Sequence, residues 1–194
     1  MRERRTEYDY GPTKHVRLDY TDGRGKTVFW EPKLSQIGLK ISDLPLWNGD
    51  LLRESRFENE PVLLVEGEKD ANRGVMFGFC CVSLPGGAAQ RDFGQALEPL
   101  RGRDVVLIPD CDQPGYGLMQ AVAAALAKVG VRSIKWMPVY DMEPGYLDGE
   151  PGADEAHPDH DLSDLLDESA EADPRGAREL IQDMIASAQV VWNG

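Results

Sequence analysis

Apolar and polar positions alternate along the first 60 residues and then change rhythm. Val16-Arg17-Leu18-Asp19-Tyr20 and Lys26-Thr27-Val28-Phe29-Trp30 read as two strands, and Thr21–Gly25 between them has the composition of a hairpin turn. Residues 31–50, punctuated by Pro32, Gly38, Pro45 and Gly49, read as an irregular linker. Trp30 and Trp47 are expected to serve as packing anchors. From Pro61 onward, short continuous apolar runs alternate with segments of helical spacing. Pro61–Val65 suits a strand covered on both faces, Cys80–Leu84 a second buried strand, and Asp104–Ile108 and Arg132–Met137 a third and a fourth strand. The spacing predicts a helix over Glu68–Gly78, a weaker one over 91–100, and a strong one over Tyr116–Val129. In that last helix Leu118, Met119, Val122, Leu126 and Val129 share one face, and Gly130 ends it.

Strand–helix alternation with short connections predicts an α/β fold, a parallel sheet flanked by helices with right-handed crossovers. Beyond it lies a polar loop, residues 141–160, and Asp161–Leu166 restores the apolar spacing of a short helix. Asp173-Pro174 is a helix start, with a capping acid and proline at the first position, and Ala177–Val190 reads as a final amphipathic helix. The expected organisation is therefore a β-rich lead-in and linker over 1–60, an α/β domain over 61–172, and a C-terminal helix over 173–194 packed on it. There is neither an internal repeat nor a low-complexity tract.

Charge alters this picture by its placement. The 194 residues hold 21 Lys and Arg against 34 Asp and Glu, a net charge of −13. Residues 1–60 balance, with 11 of each sign, whereas Asp141–Pro174 carries 13 acids and no Lys or Arg. Such a field repels phosphate, so broad electrostatic coating of nucleic acid is excluded, and metal ions or a basic partner must supply positive charge to any nucleic-acid chemistry. The sequence shows no apolar run of membrane-spanning length and no signal core, so a soluble, cytoplasmic protein is expected. Cys80, Cys81 and Cys111 form no CxxC pair, and His15, His157 and His160 complete no zinc spacing. Free thiols and no zinc are expected, with His157 and His160 most simply solvated loop residues.

In an open parallel sheet, ligands gather beyond the carboxyl ends of the strands. Three acidic segments fall there: Glu66-Gly67-Glu68-Lys69-Asp70, Asp110-Cys111-Asp112 running to Gly115, and Asp161 with Asp164. Two carboxylates in an Asp-x-Asp turn repel, and a divalent cation between them removes the cost. Oxygen ligands without Cys or His suit Mg²⁺ or Mn²⁺. Gly67 and Gly115 would let backbone approach such a site. The alternative is that Asp112 only caps the following helix while Asp110 faces solvent.

Together, Val62–Asp70 and Val105–Gly115 resemble the TOPRIM domain of bacterial-type primases, topoisomerases and some nucleases. Leu84-Pro85-Gly86-Gly87-Ala88 and Asp161-Leu162-Ser163-Asp164-Leu165 resemble the TOPRIM segments of phage- and plasmid-encoded primases and primase–helicases, as do Tyr8-Asp9-Tyr10 and the Phe29-Trp30 hairpin. The resemblance is strong over 61–130 and weaker over the rest of 8–170. It implies that Glu66 is the general acid/base or a metal-linked carboxylate, that Asp110 and Asp112 hold Mg²⁺, and that Asp161, with Asp164, supplies the third acidic position and a second metal. Lys69 would contact phosphate or remain a surface lysine, and Asp70 would join the site or orient its turn. The implied function is Mg-dependent nucleotidyl transfer, RNA primer synthesis on single-stranded DNA from nucleotides, with a basic polymerase or helicase subunit as partner. If phage-encoded, the protein would work in the host cytoplasm.

A zinc-binding template module, a basic catalytic subdomain and a Walker A helicase motif are all missing from these 194 residues. The expectation is a fragment, a subunit of a split primase, or a stand-alone TOPRIM protein. A Mg-dependent TOPRIM nuclease and a non-catalytic nucleotide- or replisome-binding module are the rival readings. A phosphatase of the Asp-x-Asp type is disfavoured because Glu66-Gly67 precedes and Gln113-Pro114 follows, and Gly115-Tyr116-Gly117 lacks the third glycine of a dinucleotide loop.

Overall fold

The computed structural model describes residues 3–87, 90, 92–139, 161–172 and 176–194. The acidic loop with His157 and His160, Ala88, and the Asp173-Pro174 helix start lie outside the described residues. Two sheets organise the chain. The first is antiparallel, in the order β1 (Glu3–Asp9), β2 (Lys14–Tyr20), β3 (Lys26–Glu31). The hairpin was legible, whereas β1 is an additional strand. Its sequence is almost wholly polar, and it owes its conformation to pairing with β2 and to cross-strand ion pairs such as Lys14–Glu7 at 2.7 Å.

The second sheet has the order β5-β4-β6-β7-β8, comprising β4 (Val62–Val65), β5 (Cys80–Ser83), β6 (Asp104–Leu107), β7 (Ser133–Trp136) and β8 (Gln189–Asn193). Strands β4 to β7 are parallel, and β8 pairs antiparallel with β7. The final segment is thus a correction to the sequence reading. Helix α4 (Ala177–Ser187) stops at Ala188, and the β-branched and aromatic run Val190-Val191-Trp192 extends along the sheet edge instead of completing the helix.

Alternate strand residues face opposite layers, as the two-residue period requires. Val62, Leu64, Val105 and Leu107 pack against Leu118, Met119, Val122 and Leu126 of α2 (Gln113–Val129). Leu63, Val65 and Val106 pack on the other face with Ala71 of α1 (Glu68–Met76), Leu162 and Leu166 of α3 (Leu162–Ala172), and Ile181 of α4. Chain progression from β4 goes outward through α1 to β5. From β6 it goes the other way through α2 to β7. Sheet order therefore reverses between β4 and β6, and their carboxyl ends form the switch point where such sheets bind ligands.

Residues 91–100 do not form the expected helix; apart from Arg91, which is not described, they are turns ending in a 3₁₀ turn at Glu98–Leu100. Gly94 has a positive φ of 48° and sits so close to the Ser42 carbonyl that no Cβ would fit. Among the described residues no helix is long and apolar enough to cross a membrane.

Candidate active site

Strand β4 ends in Val65, and its next residue, Glu66, lies at the switch point with only 6% of its surface exposed. On the neighbouring strand the chain leaves β6 through Ile108-Pro109 into Asp110 and Asp112. Asp112 is the N-cap of α2, its Oδ1 accepting the Gly115 amide at 2.6 Å, with Pro114 in the first turn. The capping role considered for Asp112 is real, and it does not send Asp110 into solvent: Asp110 is only partly exposed.

Gly115 brings the two strand ends together. Both Glu66 Oε1 and Asp112 Oδ1 lie under 3.0 Å from the point a Gly115 Cβ would occupy. They are therefore within ~6 Å of each other, the range in which like charges suppress ionisation. Glu66 Oε1 is buried and has no hydrogen-bond partner. Burial first, and then the neighbouring Asp112 and Asp70, push the Glu66 carboxyl up to about 7. Burial and the fields of Glu66, Asp70, Asp161 and Asp112 push Asp110 up to about 9. The Lys26 ammonium, at the start of β3, acts on Glu66 in the opposite sense. Acids from three separate stretches of sequence thus share one electrostatic environment.

The third stretch is built differently. Asp161 and Asp164 form a reciprocal cap at the start of α3: the Asp161 amide donates to Asp164 Oδ2 at 3.0 Å, and the Asp164 amide to Asp161 Oδ1 at 3.1 Å. Asp161 Oδ2 accepts from Lys69 Nζ at 2.5 Å. Burial opposes ionisation of Asp161, but the Lys69 hydrogen bond, a hydrogen bond with Asp70, the Lys69 charge and the Asp164 amide together outweigh it and hold the carboxyl below its ordinary value. Asp70 Oδ1 accepts from the Ser163 hydroxyl at 2.5 Å and the Ser163 amide at 3.2 Å, which ties α1 to α3. Burial and Asp161 raise Asp70 to about 7.

Of the glycines singled out, Gly67 is the N-cap of α1 in ordinary extended backbone. Gly86 and Gly87 have positive φ values of 83° and 62° in the turn after β5, a conformation that favours glycine.

Tyr10, His15 and Trp30, none of them assigned a role at the site from the sequence, anchor the lead-in sheet to it. Tyr10 Oη donates to Glu68 Oε1 at 2.9 Å, His15 Nδ1 lies 2.8 Å from the same oxygen, and His15 stacks on Trp30 with ring centroids 4.5 Å apart. Glu68 is the first residue of α1, two positions after Glu66, so the lead-in grips the turn that presents Glu66. The available signal was the Tyr8-Asp9-Tyr10 segment of the lead-in and the acid Glu68 in the strand-end turn. A groove of about 1360 Å³ lined by Asp43, Leu44, Trp47, Leu51, Arg53 and Pro99 includes none of the strand-end acids.

Among the described residues, no three or more His, Cys, Asp or Glu side chains are arranged to hold a metal ion unaided. Mg²⁺ is commonly held by one or two carboxylates and completed by waters and substrate phosphates. The donors at the switch point fit such an ion: all are oxygens, they repel one another, and one buried carboxylate oxygen has no partner.

No family model matches the chain, and no curated protein matches it. Solved structures do. The Aquifex aeolicus primase structure comprising zinc-binding and RNA polymerase domains has a TM-score of 0.58 and 18% identity, over 91% of this chain and 37% of that one. The E. coli primase catalytic core has a TM-score of 0.55 and 15% identity, over 96% of this chain and 53% of that one. A DnaG primase catalytic domain bound to ssDNA has a TM-score of 0.58 and 15% identity, over 97% of this chain and 52% of that one. The chain therefore spans 37% to about half the length of these primase proteins. At such identities the likeness shows the fold: a TOPRIM-like sheet flanked by helices and preceded by an antiparallel sheet, as in primase catalytic cores.

Proposed function

We propose that this chain, which has the fold of primase catalytic cores, is a primase-type domain supporting Mg-dependent nucleotidyl transfer in primer synthesis. The observation that carries the reading is the convergence of Glu66, Asp110 and Asp112 at the switch point, with a buried, unpartnered Glu66 oxygen. Asp110 and Asp112 are the residues that would hold the ion, with Glu66 bordering it. When bound, Mg²⁺ would neutralise phosphate charge and stabilise the attacking and leaving oxygens of the displacement. The chain's own part is positional and protonic. Glu66, with a pKa of about 7, is poised to accept a proton from the attacking hydroxyl at Oε1. Lys26, whose charge reaches Glu66, would face incoming phosphates from the lead-in side. The net charge of −13 keeps the template from binding by charge alone, so ordered contacts or a basic partner must deliver it.

The test is a product assay. Supplied with Mg²⁺, ribonucleoside triphosphates and a single-stranded DNA template, the protein, alone or with the polypeptide it accompanies, is expected to make short RNA. Asp110→Asn and Asp112→Asn are expected to make none. Nicking of supercoiled DNA without RNA synthesis would instead identify a nuclease.

A further inference from the structure

The two halves of the acidic site differ in how their carboxylates are satisfied. At the switch point Glu66 Oε1 is buried without a partner. At the α3 end, both oxygens of Asp161 are engaged, Oδ1 by the Asp164 amide and Oδ2 by Lys69 Nζ at 2.5 Å. Lys69 Nζ also lies 3.7 Å from Asp70 Oδ1. The Asp161 and Asp70 side chains are 13% and 6% exposed, so both are largely removed from water and need a positive partner if ionised. Lys69 follows Gly67 by two residues in the first turn of α1, and the Ser163–Asp70 hydrogen bonds hold α3 against that turn. An ammonium is therefore fixed, by two helices, beside two buried carboxyls that also hydrogen-bond each other.

We propose that Lys69 is a built-in cation of this site, standing beside Asp161 and Asp70 and engaging the oxygens a second divalent ion would need, so that the chain loads one metal ion, at Asp110 and Asp112. The inference rests on the metal-binding reading of the active site. It assigns Lys69 an electrostatic and positioning role instead of a phosphate contact, and it makes Asp161 a partner of Lys69 instead of a metal ligand.

Counting bound Mn²⁺ by paramagnetic resonance of the free ion tests both statements separately. The wild-type chain is expected to bind one Mn²⁺, and Lys69→Arg to do the same. Lys69→Gln is expected to bind a second ion and to be less thermally stable without metal, with the loss recovered on adding Mn²⁺. Should Lys69→Gln fail to fold, the double variant Lys69→Gln/Asp161→Asn removes the cation and its carboxylate together. It is expected to retain one ion with wild-type affinity. Two ions on the wild-type chain, one ion on folded Lys69→Gln, or loss of the ion in the double variant would overturn the inference. No ion on the wild-type chain, or one that survives Asp110→Asn/Asp112→Asn, would overturn the metal reading beneath it.

Discussion

Asp112→Asn separates the two roles that Asp112 plays. Asparagine caps a helix as well as aspartate does, so the hydrogen bond from the Gly115 amide at 2.6 Å is retained. What disappears is the charge facing Glu66. Two unit charges ~6 Å apart at an effective dielectric of about 20 repel by about 3 kcal/mol, and partial exposure of Asp112 reduces this to ~1–2 kcal/mol. At pH 8, above the Glu66 pKa of about 7, the metal-free variant is expected to gain that much stability. For a chain of this size the gain corresponds to a melting temperature higher by roughly 2–8 °C. At pH 5, where Glu66 is protonated, the gain should vanish. Asp112→Ala keeps the charge removal but loses the cap, and is expected to fall below Asp112→Asn by ~1 kcal/mol at both pH values. Mg²⁺ should raise the melting temperature of the wild type and leave that of Asp112→Asn unchanged. The measurement is differential scanning calorimetry at pH 5 and pH 8 with and without Mg²⁺. An Asp112→Asn protein no more stable than wild type at pH 8, or one still stabilised by Mg²⁺, would refute the reasoning.

Other consequences are measurable in the same way. Glu66 and Asp110 have folded-state pKa values raised to about 7 and about 9, so the folded chain holds protons that the unfolded chain has released. The stability they contribute is fully present below the ordinary carboxylate range, near pH 4, and is lost as pH rises through about 7 to 9. Chemical denaturation without metal should show this decline, and Mg²⁺ should offset it more at pH 8 than at pH 6. Mn²⁺ binding should release protons for the same reason, seen by calorimetry as a dependence of the apparent enthalpy on the buffer. Gly115→Ala drives a Cβ into the Glu66 and Asp112 oxygens, and crowding of this kind costs ~1–3 kcal/mol, outweighing the ~1 kcal/mol helix preference for alanine. Its metal affinity should fall with its stability, in the same denaturation and titration series. Tyr10→Phe removes one donor to the buried Glu68, an expected loss of ~1–3 kcal/mol by thermal denaturation with the strand-end metal site still able to bind Mn²⁺.

The legible parts of this molecule are those whose causes are local. Continuous apolar runs marked β4, β5 and β6, because strands buried on both faces need no alternation, and the alternation of Ile134 and Trp136 with Ser133 and Lys135 marked β7. Gly130 marked the end of α2, whereas its start lies at Gln113, three residues before the expected Tyr116, because Asp112 caps it and Pro114 fits its first turn. Acids following apolar runs marked the switch point. The features that escaped depend on distant partners. Glu3–Asp9 is a strand because β2 is beside it, not because of its own residues. Val190–Asn193 leaves the helical pattern because the edge of β7 is open to it. The Tyr10, His15 and Glu68 cluster joins residues more than fifty positions apart, and the clasp between Ser163 and Asp70 spans 93. Residue types could nominate Asp161 and Lys69 separately. Only the packing of α3 on α1 shows that each satisfies the other.

The position of a bound divalent ion tests the strand-end site most directly. Crystals soaked in Mn²⁺ and measured at the manganese edge are expected to show one anomalous peak at the ends of β4 and β6, at ~2.0–2.3 Å from carboxylate oxygens of Asp110 or Asp112. Glu66 should border that peak, and the space between Lys69 and Asp161 should show none. No peak at the strand ends, or a peak confined to the acids elsewhere on the chain, would contradict it.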